Sequence, residues 1–181
     1  MKLNFKYKGT RNYVHGTDVF NEVHDKLDSR VIDISFRKVI YNQCDLVSGI
    51  DRNAVSIIKT ENAVYSLVEN DDNVIERYPY DEDILLIESE INENKIFVKY
   101  HNDFSLIEYV VALTKKINNF LNKPEYGQWL FGQFIINAKL PENVDVIEVQ
   151  QNKVIGGKFS DNNVIMDGNV VGKIKFLVGK P

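Results

Sequence analysis

Apolar and polar residues alternate from residue 2 to residue 8. Leu3, Phe5 and Tyr7 fall on one side, and Lys2, Asn4, Lys6 and Lys8 on the other. A period of two predicts a strand with one buried face. The period then lengthens. Val19, Phe20, Val23 and Leu27 recur at helical spacing, which predicts a helix from about Thr17 to Asp28. Thr17 is the expected N-cap, and Asp18 suits the positive end of the helix dipole. Residues 31–50 read as one long strand with a bend or bulge, carrying Ile32, Ile34, Phe36 and Ile40 on one face. Residues 54–70 read as a hairpin turning near Glu61 and Asn62. The stretches "NVIERYPY" and "DILLIESEI" read as extended, with Pro79 marking an edge or a strand end.

The pattern then restarts. "KIFVKY" at 95–100 echoes "LNFKY" at 3–7, and a second helix follows, running to about Asn122. Ser105 and Glu108 have the spacing of a capping box, in which each residue satisfies an orphan amide. The first half of this helix is apolar nearly all round, from Leu106 to Leu113 apart from Glu108, so it is expected to be wrapped by other elements. "GQWLFGQFIINAKL" is the next long strand, followed by "VDVIEVQQ", "KVIGGKFS", "NNVIM" and "NVVGKIKFLV". Asp167 and Gly168 form a tight-turn signal between the last two. Gly156 and Gly157 read as a bulge or bend. Each half thus runs strand, helix, then antiparallel strands. The expected division is 1–91 and 92–181, packed as one globular unit.

A buried helix followed by an antiparallel meander resembles the hot-dog fold, in which a sheet wraps a central helix. The closing stretch, with its "DG-x-V-V" turn and strand, carries most of that resemblance. The fold class expected is α+β, with two hot-dog-like halves, each an antiparallel sheet wrapped on one main helix, as in a double hot-dog. The resemblance implies an acyl-thioester-acting enzyme, dehydratase-like or thioesterase-like, on acyl-carrier-protein or coenzyme A esters. Its alternative is a non-catalytic ligand-binding or assembly module of the same fold. No cofactor is implied beyond the phosphopantetheine or coenzyme A that a substrate carries. A double hot-dog could stand as a monomer; a single one would form a homodimer.

Composition narrows the field. The 181 residues are 44% hydrophobic and 27% charged, with a net charge of −4, so no basic footprint for nucleic acid is present. No apolar run approaches the roughly 18 residues of a membrane span. The start, "MKLNFKYKGTR", does not read as a signal peptide. The single cysteine, Cys44, allows no internal disulfide and fits a cytoplasmic setting. With no catalytic base nearby in sequence, it reads as a small core residue rather than a nucleophile.

The chemistry centres on "YVHGTDVFNEV". Histidine suits the abstraction of a proton beside a thioester carbonyl, because its unperturbed pKa is about 6.5. His15 is the candidate base, with Asp18 or Glu22 as its carboxylate. Backbone amides near Gly16 and Thr17 are placed to polarise the carbonyl. The plainer reading is a loop histidine beside a turn. Trp129, with Phe131 and Phe134, could line an acyl tunnel or simply fill the core. His24 reads as a boundary residue, and His101 as the loose counterpart of His15. The histidines lack metal-ligand spacing, so no metal is expected. Lys2, Lys6, Lys8 and Arg11 read as a solvated basic face, or as a dock for an acidic carrier protein or a phosphopantetheine phosphate.

Overall fold

The computed structural model describes residues 1–27 and 29–181. By internal contacts the chain divides into two compact units, Met1–Asp81 and Glu82–Pro181. Each contains one α-helix and an antiparallel sheet, so the chain is α+β.

The first unit opens with β1 (Lys2–Leu3) and β2 (Tyr7–Lys8), then α1 (Gly16–Lys26). The expected strand over residues 2–8 is two separate two-residue strands. Breaking the run between them resets the alternation, and Lys8 ends fully buried instead of sharing a solvated face with Lys2 and Lys6. Those two pair at the surface, Lys2 with Asp72 and Lys6 with Glu76, each at 2.6 Å. Helix α1 starts at Gly16 with His15, not Thr17, at the N-cap. Val19, Phe20 and Val23 form its buried face, as their spacing requires. The expected end at Asp28 lies outside the described residues.

The expected strand over residues 31–50 is likewise two: β3 (Val31–Phe36) and β4 (Asn42–Ser48). A bulge between Val31 and Asp33 lets Val31 and Ile34 both turn inward. Strands β5 (Ser56–Thr60) and β6 (Val64–Asn73) form the expected hairpin, turning at 61–63. The sheet order is β1, β4, β6, β5, β3. Finally β7 (Arg77–Tyr78) ends at Pro79 and pairs in parallel with β2, apart from the main sheet.

The second unit begins with a 3-10 helix, Glu82–Leu86, where an extended segment was expected from "DILLIESEI". A short apolar run carries no period that separates strand from helical turn. Strands β8 (Glu90–Asn92) and β9 (Lys95–Lys99) precede α2 (Leu106–Leu121). Strands β10 (Gln128–Ile136), β11 (Val146–Ile155), β12 (Phe159–Met166) and β13 (Asn169–Gly179) follow. The order is β10, β13, β12, β11, β9, β8. The four short segments read after β10 merge into these three long strands. Gly156 and Gly157, both at positive φ, make the β11–β12 turn. Asp167 and Gly168, at φ 48° and 80°, make the β12–β13 turn. Helix α2 packs against β9, β10, β11 and β12. Ile107, Tyr109, Val110, Val111, Ala112, Leu113 and Thr114 are all buried, which is burial on every side of a helix.

Candidate active site at the start of the first helix

The short parallel pair β2–β7 builds the site. Its register sets Lys8 opposite Tyr78, and both side chains reach the start of α1. The Tyr78 hydroxyl donates to both oxygens of Asp18, at 2.9 Å each. The Lys8 ammonium donates to Asp18 Oδ1 at 3.1 Å and to Thr17 Oγ1 at 3.0 Å. Its remaining direction is covered by the Tyr80 ring, whose centroid lies 4.1 Å away. A buried lysine is tolerable when its three donors are met in this way, by a carboxylate, a hydroxyl and an aromatic face.

The loop that follows is strapped in place. Arg77 donates through Nη1 to the carbonyls of Gly9 and Arg11, both at 2.6 Å, and through Nη2 to Asn12 Oδ1 at 2.8 Å. Gly9 has φ of 59°, and a Cβ there would lie 3.0 Å from the Tyr80 carbonyl oxygen, so the turn requires glycine. Val14 then bridges to Ile40, its N–H donating at 2.8 Å, and His15 follows directly at the cap of α1.

His15 is buried, with 8% of its surface exposed. Its Nδ1 lies 2.7 Å from Thr17 Oγ1. Thr17 is fully buried, and its hydroxyl lies 3.4 Å from Asp18 Oδ1. One hydroxyl therefore joins the imidazole to the carboxylate, with Lys8 bonded to both the hydroxyl and the carboxylate. Asp18 accepts from an ammonium and a phenol, as an anion does.

The other predicted residues sit as follows. Glu22 is half-buried on α1, one turn past Asp18. Helical rise puts it roughly 10 Å along the axis from His15, so Asp18 is the carboxylate joined to His15. Gly16 is the first residue of α1, and the N–H groups of Gly16 and Thr17 have no acceptor within the helix. Thr17 contributes its buried hydroxyl to the link rather than serving as the cap. Trp129 belongs to the second unit. It is buried, and its Nε1 donates to the Asn122 carbonyl at the end of α2, at 3.1 Å. His24 is exposed and stacks on Phe20.

His101 does not match His15 in position. It lies four residues before Ser105, which caps α2, and pairs at the surface with Glu88 at 3.4 Å. A small pocket nearby, about 150 Å³, is lined by His101, Asp103, Glu88, Tyr109 and apolar side chains. Tyr109 donates to Asp103 at 3.2 Å. Burial and the Asp103 charge push its phenol up to about 12, so it stays a donor through the neutral range. Cys44 is a buried strand residue, and burial raises its thiol to about 12. It is a core residue, as its surroundings in sequence suggest.

Sequence patterning singled out His15, Thr17 and Asp18 but missed Lys8, Tyr78 and Tyr80. Alternation placed Lys8 on a wet face. The "YPY" of residues 78–80 was the one available signal, two tyrosines flanking a proline at a strand end.

No family model matches the chain, and no curated protein matches it. Solved structures similar to it include a fusion DH domain, at 12% identity and a TM-score of 0.46, covering 93% of this chain and 79% of that one. Another is a monomeric dehydratase domain from a trans AT polyketide synthase split module, at 10% identity and a TM-score of 0.45, covering 98% and 96%. A third is the dehydratase domain of MlnD from Bacillus amyloliquefaciens, at 10% identity and a TM-score of 0.40, covering 84% and 75%.

Proposed function

We propose that the protein is a dehydratase-like enzyme acting on an acyl thioester carried by an acyl carrier protein or coenzyme A. The observation that supports this reading is the His15–Thr17–Asp18 link at the mouth of α1. In the reaction, His15 Nε2 takes the proton between the thioester carbonyl and the 3-hydroxyl carbon. The electrons form the C2–C3 double bond, and the hydroxyl departs with the proton returned by the imidazolium, as water. Asp18, through Thr17, orients the ring and favours its cationic form. The N–H groups of Gly16 and Thr17 are the groups to polarise the thioester carbonyl. No resident cofactor or metal is required for these steps. Glu22, one turn past Asp18, is the alternative carboxylate.

The two units are read as two hot-dog-like halves, with the catalytic one at the N-terminal side and a cytoplasmic setting. Turnover of 3-hydroxyacyl, enoyl and saturated acyl thioesters, on both carriers, with products identified by mass spectrometry, tests the reading. Loss of water from the 3-hydroxyacyl substrates, or its addition to the enoyl ones, is expected. Release of free acid instead would mean a thioesterase. No reaction across the panel would overturn the enzyme and leave a binding or assembly module.

A further inference from the structure

We infer that Lys8 is a positioning residue for His15, one that fixes which imidazole nitrogen carries the proton. The inference rests on the dehydratase-like reading for its catalytic meaning, though not for its structural test.

A threonine hydroxyl has one proton and two lone pairs. Thr17 Oγ1 has three neighbours to distribute these among: Lys8 Nζ at 3.0 Å, His15 Nδ1 at 2.7 Å and Asp18 Oδ1 at 3.4 Å. The ammonium can only donate, so it takes one lone pair. The carboxylate can only accept, so it draws the hydroxyl proton. The remaining lone pair faces Nδ1, which must then carry a hydrogen. Neutral His15 is thereby held with Nδ1 protonated and Nε2 as the basic nitrogen. Lys8 also bonds Asp18 directly and so keeps the carboxylate within reach of Oγ1. Without Lys8, the Thr17 hydroxyl is released to turn its proton toward Nδ1. That would place the ring hydrogen on Nε2, where it blocks the base.

The charged and titratable groups around this link come from every side. Lys8 is on β2, Asp18 on α1 and Tyr78 on β7, with the Tyr80 ring against the ammonium and Arg11 also over that ring at 5.6 Å. Removing Lys8 takes away a cation that shares Thr17 Oγ1 with the imidazole and favours the imidazolium. The acid limb of kcat/KM therefore moves to higher pH.

The test uses the full chain with ¹⁵N-labelled histidine. The wild-type spectrum should show His15 as the Nδ1–H tautomer, and Lys8→Met should convert it to Nε2–H. The same variant should lower kcat about 100-fold with little change in KM and shift the acid limb upward. If Lys8→Met fails to fold, Thr17→Val and Thr17→Ser decide, because both leave the Lys8–Asp18 pair in place. Valine should lose the Nδ1–H tautomer and serine should keep it. A wild-type Nε2–H tautomer would overturn the inference, as would an unchanged tautomer in Lys8→Met or in Thr17→Val. Should no thioester turn over, the spectrum still reports whether Lys8 governs the ring, so the two readings fail separately.

Discussion

At the start of α2, Ser105 and Glu108 close a capping box, with the Ser105 N–H donating to Glu108 Oε2 at 2.8 Å. At the start of α1, the cap residue is His15, and its ring makes no hydrogen bond to the orphan amides. Its Nδ1 is turned instead toward a side chain, and that side chain toward a buried ion pair. The two helix entrances thus use their polar groups for different ends. One satisfies the backbone with residues three apart. The other leaves the backbone amides at its mouth and sets its imidazole against Thr17, whose hydroxyl is held among Lys8 and Asp18. A protein that needed only a helix there would be served by a serine.

The sharpest way to break this contrast is to mutate both caps. His15→Ala should reduce turnover by at least about 10³-fold, in the range of a lost general base, while Ser105→Ala leaves turnover unchanged. Circular dichroism of both variants checks that the fold survives, and His15→Gln serves where the alanine leaves a gap. Equal activity in His15→Ala and wild type would erase the distinction.

Next in size is the ion pair. Lys8→Met leaves a carboxylate without its buried partner and should destabilise the protein by about 3 kcal/mol, read by denaturant unfolding. Lys115 pairs with Glu82 at 2.7 Å but is more exposed. Lys115→Met should cost less than about 1 kcal/mol. Similar losses from the two would show that burial of the first pair confers nothing special.

Much of α2 was legible because its information is local. The S-x-x-E spacing and an apolar run longer than a strand sit together between Ser105 and Leu121. The Asp167–Gly168 turn was legible for the same reason, since both residues must take positive φ. His15 stood out because a histidine and a glycine precede a helical period. Its surroundings did not. Lys8 meets Tyr78 through a parallel pairing of two residues on each strand, and two residues have no period to read. The break between β1 and β2 also shifted the alternation that had put Lys8 in water.

Smaller effects distinguish the α2 entrance further. Ser105→Ala should lower stability by about 1 kcal/mol, a fall in Tm of about 2–4 °C for a chain of this size. The smallest test concerns alkaline pH. Tyr109 is held protonated from its usual 10 up to about 12. The unfolded chain releases that proton first, so the contribution is intact below pH 10 and is lost as pH rises toward 12. Cys44 acts in the same sense from pH 9 to about 12. Tyr109→Phe should flatten the decline in unfolding free energy between pH 10 and 12, and an unchanged slope would remove Tyr109 from the account.

The pairing of β2 with β7 also bears on how the site around His15 assembles. Tyr78 and Asp18 are 60 residues apart in the chain, so closing their contact carries a large loop entropy that local structure must first offset. Helix α1 can form early from its own residues, but the clamp on its carboxylate waits for nearly the whole first unit to be in place. A two-residue ladder is also among the first pieces of a fold to open transiently. The ordered site around His15 should therefore appear last on refolding and vanish first on mild denaturation, while the helical signal is still near its native value.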